Sequence, residues 1–284
     1  SSVRLEVQWD VAKDADFKHI TATGKVLTTA AQDFTVKVDV TGLAAGQVYF
    51  YRFKSASTYS ITEQTKTLAT QVQSVQFAVC SCSNYPAGYF HVYKEMAKQD
   101  VDVVIHLGDY IYEYGMGGYA TEEAVEMGRA LADDNSLEII HLDDYRKRYA
   151  LYRLDPDLQA AHQRHPFIVI WDDHELANDT WEKGAENHQS DTEGDFLERK
   201  LAALAAYFEW MPIRPIDDQH INEDSADSLS MEGLVNDAEQ ALSQMIFTVT
   251  SSSDDQNLGA EFSRSTLQLT TLTDDYFSLS PIML

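Results

Sequence analysis

The stretch VDVVIHLGDYIYE, Val101 to Glu113, limits what this chain can fold into more than any other. Its apolar run (Val101, Val103, Val104, Ile105, Leu107) breaks off at Gly108-Asp109. A buried strand that ends this way presents a carboxylate from its carboxyl end, where open α/β sheets keep their ligands. Glycine permits the sharp exit, and Asp109 supplies a hard oxygen donor suited to bridging cations. Tyr112, three residues on, brings a phenol close to the same spot. Two further segments repeat the pattern. VQFAVCSC (Val75 to Cys82) and FIVIWDDHE (Phe167 to Glu175) are apolar strands that run into ligand-type residues. Three such ends predict an α/β core carrying a metal-dependent hydrolase site.

The donor types sort by metal. Asp109 takes the bridging role, because one carboxylate can span ions ~3.5–4 Å apart. Cys82 and Tyr112 are anionic when they ligate and select a trivalent or soft transition metal such as iron. Asp173 and Asn178 offer hard oxygens, which favour calcium, magnesium or manganese at a second site. Packing is the alternative role for Tyr112, and a structural hydrogen bond the alternative for His174. Cys80, inside its apolar run, reads as a small buried hydrophobe, whereas Cys82 stands at the strand end beside Ser81, Ser83 and Asn84. These are the only two cysteines; two residues apart on a strand, they make no unstrained disulfide. His91 and His106 fall within apolar patterns and read as structural, and Asp172 and Glu175 read as groups that orient the ligands.

A net charge of −25 excludes the clustered Lys and Arg that nucleic-acid binding requires. It would also repel a phosphate-bearing substrate, a conflict that bound cations resolve by inverting the local field. The simplest reading of the charge is an acidic solubility surface. No apolar stretch approaches the ~20 residues needed to cross a bilayer. The start, SSVRLEVQWD, reads as lacking the basic and apolar regions of a signal peptide.

The 284 residues leave room for two domains. VRLEVQW and FTVKVDV alternate as half-buried strands do, so the pattern predicts strands there. In TGLAAGQVYFYRFKS a turn at Ala44-Ala45-Gly46 precedes a third alternating run, and its Leu-x-x-Gly-x-x-Tyr-x-Tyr spacing resembles the tyrosine corner of fibronectin type III-like sandwiches. Thr58 to Ser74 reads as a last strand plus linker, with a domain boundary near residue 72. From 75 to about 215 strands and helices alternate. Tyr89, Val92, Tyr93 and Met96 lie at helical spacing. DDYRKRYALYR (Asp143 to Arg153) reads as a basic, solvated helix face, with one arginine of Arg146, Arg148 and Arg153 a candidate for reaching phosphate. Asp195 to Trp210 is predicted helical, with Phe196, Leu201, Leu204 and Phe208 on its apolar face and Thr192-x-x-Asp195 as a variant capping box. Residues 217–284 carry thirteen Asp or Glu and one basic residue, Arg264, with short strand-like runs at Met245 to Thr250 and Leu267 to Leu272.

Three strings then carry a family resemblance: FAVCSCSNYPAGYFHVYKEMAKQDVDVVIHLGDYIYEYG, DDYRKRYALYRLDPDLQAAHQRHPFIVIWDDHELANDTW and AALAAYFEWMPIRP. Over roughly residues 1–216 the chain resembles the alkaline phosphatase D (PhoD-like) branch of the calcineurin-like metallophosphoesterases. The resemblance implies an α/β fold: a calcineurin-like αββα domain over residues 73–284, incomplete after about 216, preceded by a β-sandwich domain over residues 1–72. It implies hydrolysis of small phosphoesters by a metal-activated hydroxide, with iron (Fe3+) on Cys82, Asp109 and Tyr112 and calcium on Asn178. By analogy with the Asn-His pair of the wider superfamily, Asp173 also ligates and His174 faces the phosphoryl group. A periplasmic or secreted location is implied in the same way. The resemblance also implies a later Gly-Asp-x-His-type strand end and an earlier Leu-Asp-Thr-Arg-like strand, and neither string follows Gly194-Asp195. NLGAEFSRSTL (Asn257 to Leu267) faintly resembles the segment beyond that histidine motif. The alternative reading is therefore a catalytically incomplete remnant of the fold, serving as a binding or structural protein.

Overall fold

The computed structural model of the chain describes residues 3–71 and 73–214. The predicted runs at Met245 to Thr250 and Leu267 to Leu272, and the segment from Asn257 to Leu267, lie outside the described residues.

The amino-terminal region is built on one antiparallel sheet. Strand β1 (Arg4–Ala12) lies between β2 (Ile20–Thr29) and β3 (Val48–Ser55). The far edge of β3 pairs with two short strands in succession, β4 (Thr58–Tyr59) and β5 (Glu63–Lys66). Alternation places Val7 and Val11 of β1 and Tyr49, Tyr51 and Phe53 of β3 in one core. The backbone amide of Ala44 donates to the Tyr49 hydroxyl at 3.0 Å, so the tyrosine ties down the turn before its own strand. Strand β2 carries a weak alternating pattern, and most of its side chains face outward. Its Gly24 is required sterically: a Cβ there would stand 2.6 Å from the Trp9 indole. Phe34 to Val40, predicted as a strand, forms no ladder: Phe34 turns left-handed (φ 55°), and the residues after it pair only through a single bridge at Asp39. Val36, Val38 and Val40 nevertheless point inward and cover the sheet, so the period-2 pattern reported burial and not pairing.

The second sheet is parallel, in the order β6 (Phe77–Cys80), β7 (Val103–His106), β8 (Phe167–Val169). Cys80 stands opposite His106, and His106 opposite Val169, so the three predicted strand ends emerge side by side. One face, with Val104, His106, Phe167 and Val169, is buried among α1 (His91–Met96), α2 (Leu142–Arg153) and α3 (Pro156–Arg164). The other face is open: Val79, Leu107, Ile168 and Ile170 are between 42% and 54% exposed. Parallel strands are ordinarily covered on both faces. Beyond β8 come the two-residue strands β9 (Thr180–Trp181) and β10 (Gly184–Ala185), then α4 (Ser190–Glu193) and α5 (Phe196–Trp210).

Two helix expectations change. The cap of α5 is Asp195 itself, whose carboxylate accepts from the Leu197 and Glu198 amides, and not a box with Thr192. Its inward face is Phe196, Arg199, Ala203, Ala206, Tyr207 and Trp210, while Leu197 and Leu201 face out. The two alanines let the helix approach α2 closely, and Arg199 is buried because Glu138, Glu193 and the Tyr145 hydroxyl accept its protons. Likewise α2 is not a solvated basic face. Arg148 is buried and donates to the carbonyls of Tyr112, Tyr114, Asn135 and Leu137, which satisfies a long connection that has no strand partner. Arg146 pairs with Glu209, and Arg153 donates to the Tyr110 hydroxyl.

The segment between β2 and β3 joins the two regions. Trp210 donates to Asp33 at 3.1 Å, Arg214 pairs with Asp39 at 2.8 Å, and Lys37 Nζ donates to the carbonyls of Phe208 and Ile213 at the end of α5. A cation there also suits the helix dipole. Burial pushes the Lys37 ammonium down to about 8 from an ordinary 10.5, with Arg214 adding to the effect. Between those two values the unfolded chain binds more protons at this site than the folded one, so its contribution to stability rises with pH. Wild type should therefore gain over Lys37→Met in thermal midpoint as pH climbs from about 8 to 10.5. A gap between the two proteins that stays constant across that window would contradict the burial of the amine.

Candidate metal centre

Two loop exits build the site. After β6 the chain turns left-handed at Cys82 (φ 59°), and after β7 it does so at Gly108 (φ 104°) and Asp109 (φ 56°). Non-glycine residues pay for that conformation and hold it only when their surroundings over-determine it. Here the two exits hydrogen-bond to each other: Cys82 N donates to Gly108 O at 3.1 Å and Ser83 N to Asp109 O at 2.8 Å. Gly108 has no alternative, because a Cβ would meet Asp172 at 2.5 Å. From the third exit, buried Glu175 accepts the backbone amides of Asp109, Tyr110 and Asp172. Glu175 thus orients the Asp109 loop, as its position after the DDHE aspartates suggested. Asp172, by contrast, is exposed.

Asp109, Asp173 and His174 each bring one ligand-type atom to within 4.8 Å of the others. Tyr112 donates to Asp109 Oδ2 at 3.3 Å, and the Cys82 thiol interacts with both Asp109 and Tyr112. Asp109 Oδ1 is buried with no hydrogen-bond partner among the described residues. A desolvated carboxylate oxygen left this way is costly unless something else binds it. The electrostatics say the same. Burial raises the Asp109 carboxyl, and Asp172 and Asp173 push it further against the pull of His174. Burial also raises Cys82, with Asp109 adding to it, and lifts Tyr112 well beyond an ordinary phenol. Asp109, Cys82 and Tyr112 are thus reluctant to be anions beside one another, and a cation reverses that preference. The donor set of thiol, phenol, two carboxylates and an imidazole fits metal ions on these grounds.

Glu113 was missed in the sequence although it closes the opening string. It is fully buried, and Oε2 pairs with His174 Nδ1 at 2.8 Å. Its Oε1 accepts from the Asn178 backbone amide and the Asn187 side chain, both at 2.8 Å. Burial alone would raise its pKa; the bonds from His174, Asn187 and Asn178 bring it below the ordinary value. Burial alone would lower His174; Glu113, then Asp109 and Asp173, carry it above the ordinary value. The bond to Glu113 occupies Nδ1, so Nε2 is the ring nitrogen left for a ligand. No sequence pattern marks a partner 61 residues away. The Tyr112 ring stacks on His174 with centroids 4.1 Å apart, so Tyr112 packs as well as lying beside Asp109. Asn178 stands apart from this group: its side-chain nitrogen donates to Glu186 at 2.9 Å and to Asp179 at 3.4 Å.

Comparison with known proteins agrees with this geometry. The model of the PhoD-like phosphatase family matches residues 77–231, and that of the PhoD-like phosphatase N-terminal domain matches residues 1–69. The chain belongs to the PhoD-like phosphatase family. Alkaline phosphatase D of Bacillus subtilis (strain 168) is 43% identical over 213 residues, which cover 74% of this chain and 35% of that protein. A solved structure of PhoD superposes with a TM-score of 0.66 at 42% identity, covering 74% of this chain and 40% of that one. The chain thus spans well under half the length of these relatives. Of the two histidines expected to be structural, only His106 is buried in that way: it lies between the hydroxyls of Ser83 and Tyr93, each 3.0 Å away, and burial pushes it down to about 4. His91 is exposed and stacks on Tyr89. Cys80 is partly buried against the core.

Removing Glu113 should show how much rests on it. Glu113→Ala strands an imidazolium and two amide donors, and should lower unfolding stability by about 3–5 kcal/mol, as loss of one member of a buried pair does. Urea unfolding measures this, with Glu113→Gln falling between the variant and wild type. A midpoint for Glu113→Ala equal to that of wild type would contradict the assigned network.

Proposed function

We propose that this chain carries the metal-holding part of a phosphoester hydrolase of the alkaline phosphatase type. The observation that carries the reading is Asp109: one of its carboxylate oxygens is buried and unpartnered among the described residues, and the residue brings a carboxylate oxygen to within 4.8 Å of ligand-type atoms of Asp173 and His174. In this reading Cys82, Asp109 and Tyr112 hold iron as Fe3+, and Asp173 with Asn178 holds calcium, Asp109 serving both. Asn178 keeps its amide oxygen for that purpose, since its nitrogen is engaged by Glu186. When bound, the cations supply Lewis acidity that activates water and neutralises charge on the transferring phosphoryl oxygens. The protein's own part is to aim and to exclude. Glu113 holds the imidazole of His174 through Nδ1 and raises its pKa, so that Nε2 is presented to the phosphoryl group of a small phosphoester. The stacked Tyr112 ring prevents the imidazole from swinging away.

The domain reading follows the same lines. Residues 1–72 form an amino-terminal, fibronectin type III-like sandwich domain, a reading supported by the Tyr49 corner and by the extended valine segment that covers the sheet. The described residues from 73 to 214 belong to the calcineurin-like αββα domain expected over 73–284 and incomplete after about 216. Supporting this is the open face of the β6–β7–β8 sheet, which is apolar where a second sheet would pack. Trp171 lies beside that face, its ring 6.4 Å from Phe208 on α5. The working compartment, on the family resemblance, is periplasmic or extracellular. No helix among the described residues is long and apolar enough to cross a membrane. A remnant without chemistry is the weaker reading, because nothing would then offset the burial of the Asp109 oxygen or the strain at Cys82 and Asp109.

Chelation tests the proposal. Protein supplied with iron and calcium should retain both through gel filtration and hydrolyse a generic aryl phosphate; exhaustive chelation should abolish turnover and added calcium restore it. Turnover that survives chelation would refute the metal mechanism. Protein that retains neither cation would favour the remnant.

A further inference from the structure

One buried side chain reaches both loop exits, and it is not a candidate ligand. His106 ends β7, is fully buried, and uses both ring nitrogens. Its Nδ1 lies 3.3 Å from the backbone nitrogen of Gly108, a group that can only donate. Burial keeps the imidazole neutral, so its single proton sits on Nε2. That nitrogen is 3.0 Å from the Ser83 hydroxyl and 3.0 Å from the Tyr93 hydroxyl, and the two hydroxyls bond to one another. The Tyr93 ring on α1 lies parallel to the imidazole within 4°. Ser83 is itself buried, follows Cys82 directly, and gives its amide to Asp109 O. Gly108 precedes Asp109, and its carbonyl accepts from Cys82 N. The ring thus accepts from the residue before Asp109 and donates to the residue after Cys82.

We propose that His106 is a positioning residue for the metal centre, a staple that fixes the Cys82 exit against the Asp109 exit through Ser83 and Gly108. The role rests on the metal reading above and extends it: it names a group that holds two ligands in register without binding metal itself. Chemistry favours this over a filler of the core. The parallel ladder already joins β6 to β7, and an apolar side chain of similar volume would occupy the same space. Such a side chain would lack both the acceptor for one exit and the donor for the other. It would take a partner from the Gly108 amide and leave the Ser83 hydroxyl with Tyr93 alone. Cys82 and Asp109 sit in the left-handed region, a conformation that persists only where neighbours enforce it, and each adjoins a residue that the ring grips. The tautomer gives the staple its direction, because a proton on Nδ1 would face the Gly108 amide donor to donor.

Two measurements on the full chain test this. Nitrogen-15 chemical shifts of the His106 ring should show the proton on Nε2; a proton on Nδ1 would overturn the proposal. Fe3+ affinity is then measured by competition with a chelator of known strength, well below the thermal midpoint of every variant. His106→Phe fills the space but removes both bonds, and should weaken Fe3+ binding about tenfold, the scale on which outer partners of metal ligands act. His106→Gln, which keeps a donor toward Ser83, should recover part of the loss. Ser83→Ala should also weaken binding, and the double variant with His106→Phe no more than His106→Phe alone, because both cut one link. Val104→Ala, which opens a cavity at a fully buried position of the same strand, should lower the thermal midpoint and leave the affinity alone. Unchanged affinity in His106→Phe, or an equal loss in Val104→Ala, would contradict the positioning role. Wild-type protein that binds no Fe3+ would instead overturn the metal reading beneath it.

Discussion

The two hydrogen bonds that zip the exit of β6 to the exit of β7, Cys82 N to Gly108 O and Ser83 N to Asp109 O, are what the site depends on. Each exit is strained by itself, since Cys82 and Asp109 both sit in the left-handed region. Joined, each supplies the other with the partner that its turn would otherwise leave unsatisfied. The strain is thereby spread over a parallel sheet whose register already places Cys80 beside His106. The convergence of thiol, carboxylate and phenol follows from that join. Glu175 completes it from the third strand, by holding the amides of Asp109, Tyr110 and Asp172 with one carboxylate.

Electrostatics then give the geometry its direction. The chain carries a net charge of −25, and its site gathers more acids: burial raises Asp109, Asp172 and Asp173 add to that rise, and Asp109 in turn raises Cys82 and Tyr112. Glu113 escapes this by pairing with His174, whose pull on Asp109 does not offset the burial of that carboxyl. Such a cluster is tolerable when cations complete it. Under the proposed function, that is also how so acidic a protein would receive a phosphoester. Around this centre, arginines serve the packing: Arg148 closes the long connection after β7, and Arg199 knits α5 to α4 at Glu193.

Much of this was legible in the sequence where chemistry is local. An apolar run broken by Gly-Asp names a strand end, and the structure brings Asp109 from that end together with Asp173 and His174 from the end of β8. The Tyr49 corner was likewise written in a short spacing. What stayed hidden depends on distant partners. Glu113 and Arg148 look like ordinary charges until the loop carbonyls, His174 and Asn178 surround them. The inward face of α5 was misread because its leucines are the more hydrophobic stripe, yet Ala203 and Ala206 permit the closer approach. The valines from Val36 to Val40 alternate like a strand and bury like one, but they cap a sheet without joining its ladder. Strand β2, mostly exposed and interrupted by Gly24, offered little pattern to read.

Visible absorption during an iron titration addresses the centre most directly. Phenolate and thiolate bound to Fe3+ absorb in the visible through charge transfer, which neither group does alone. With Cys82, Asp109 and Tyr112 converging as described, a band should grow and saturate near about one equivalent of iron, as a single discrete site requires. It should be lost or displaced in Tyr112→Phe. Iron that adds without a saturable band, or a band indifferent to Tyr112, would contradict the assignment of this strand-end cluster as a metal centre.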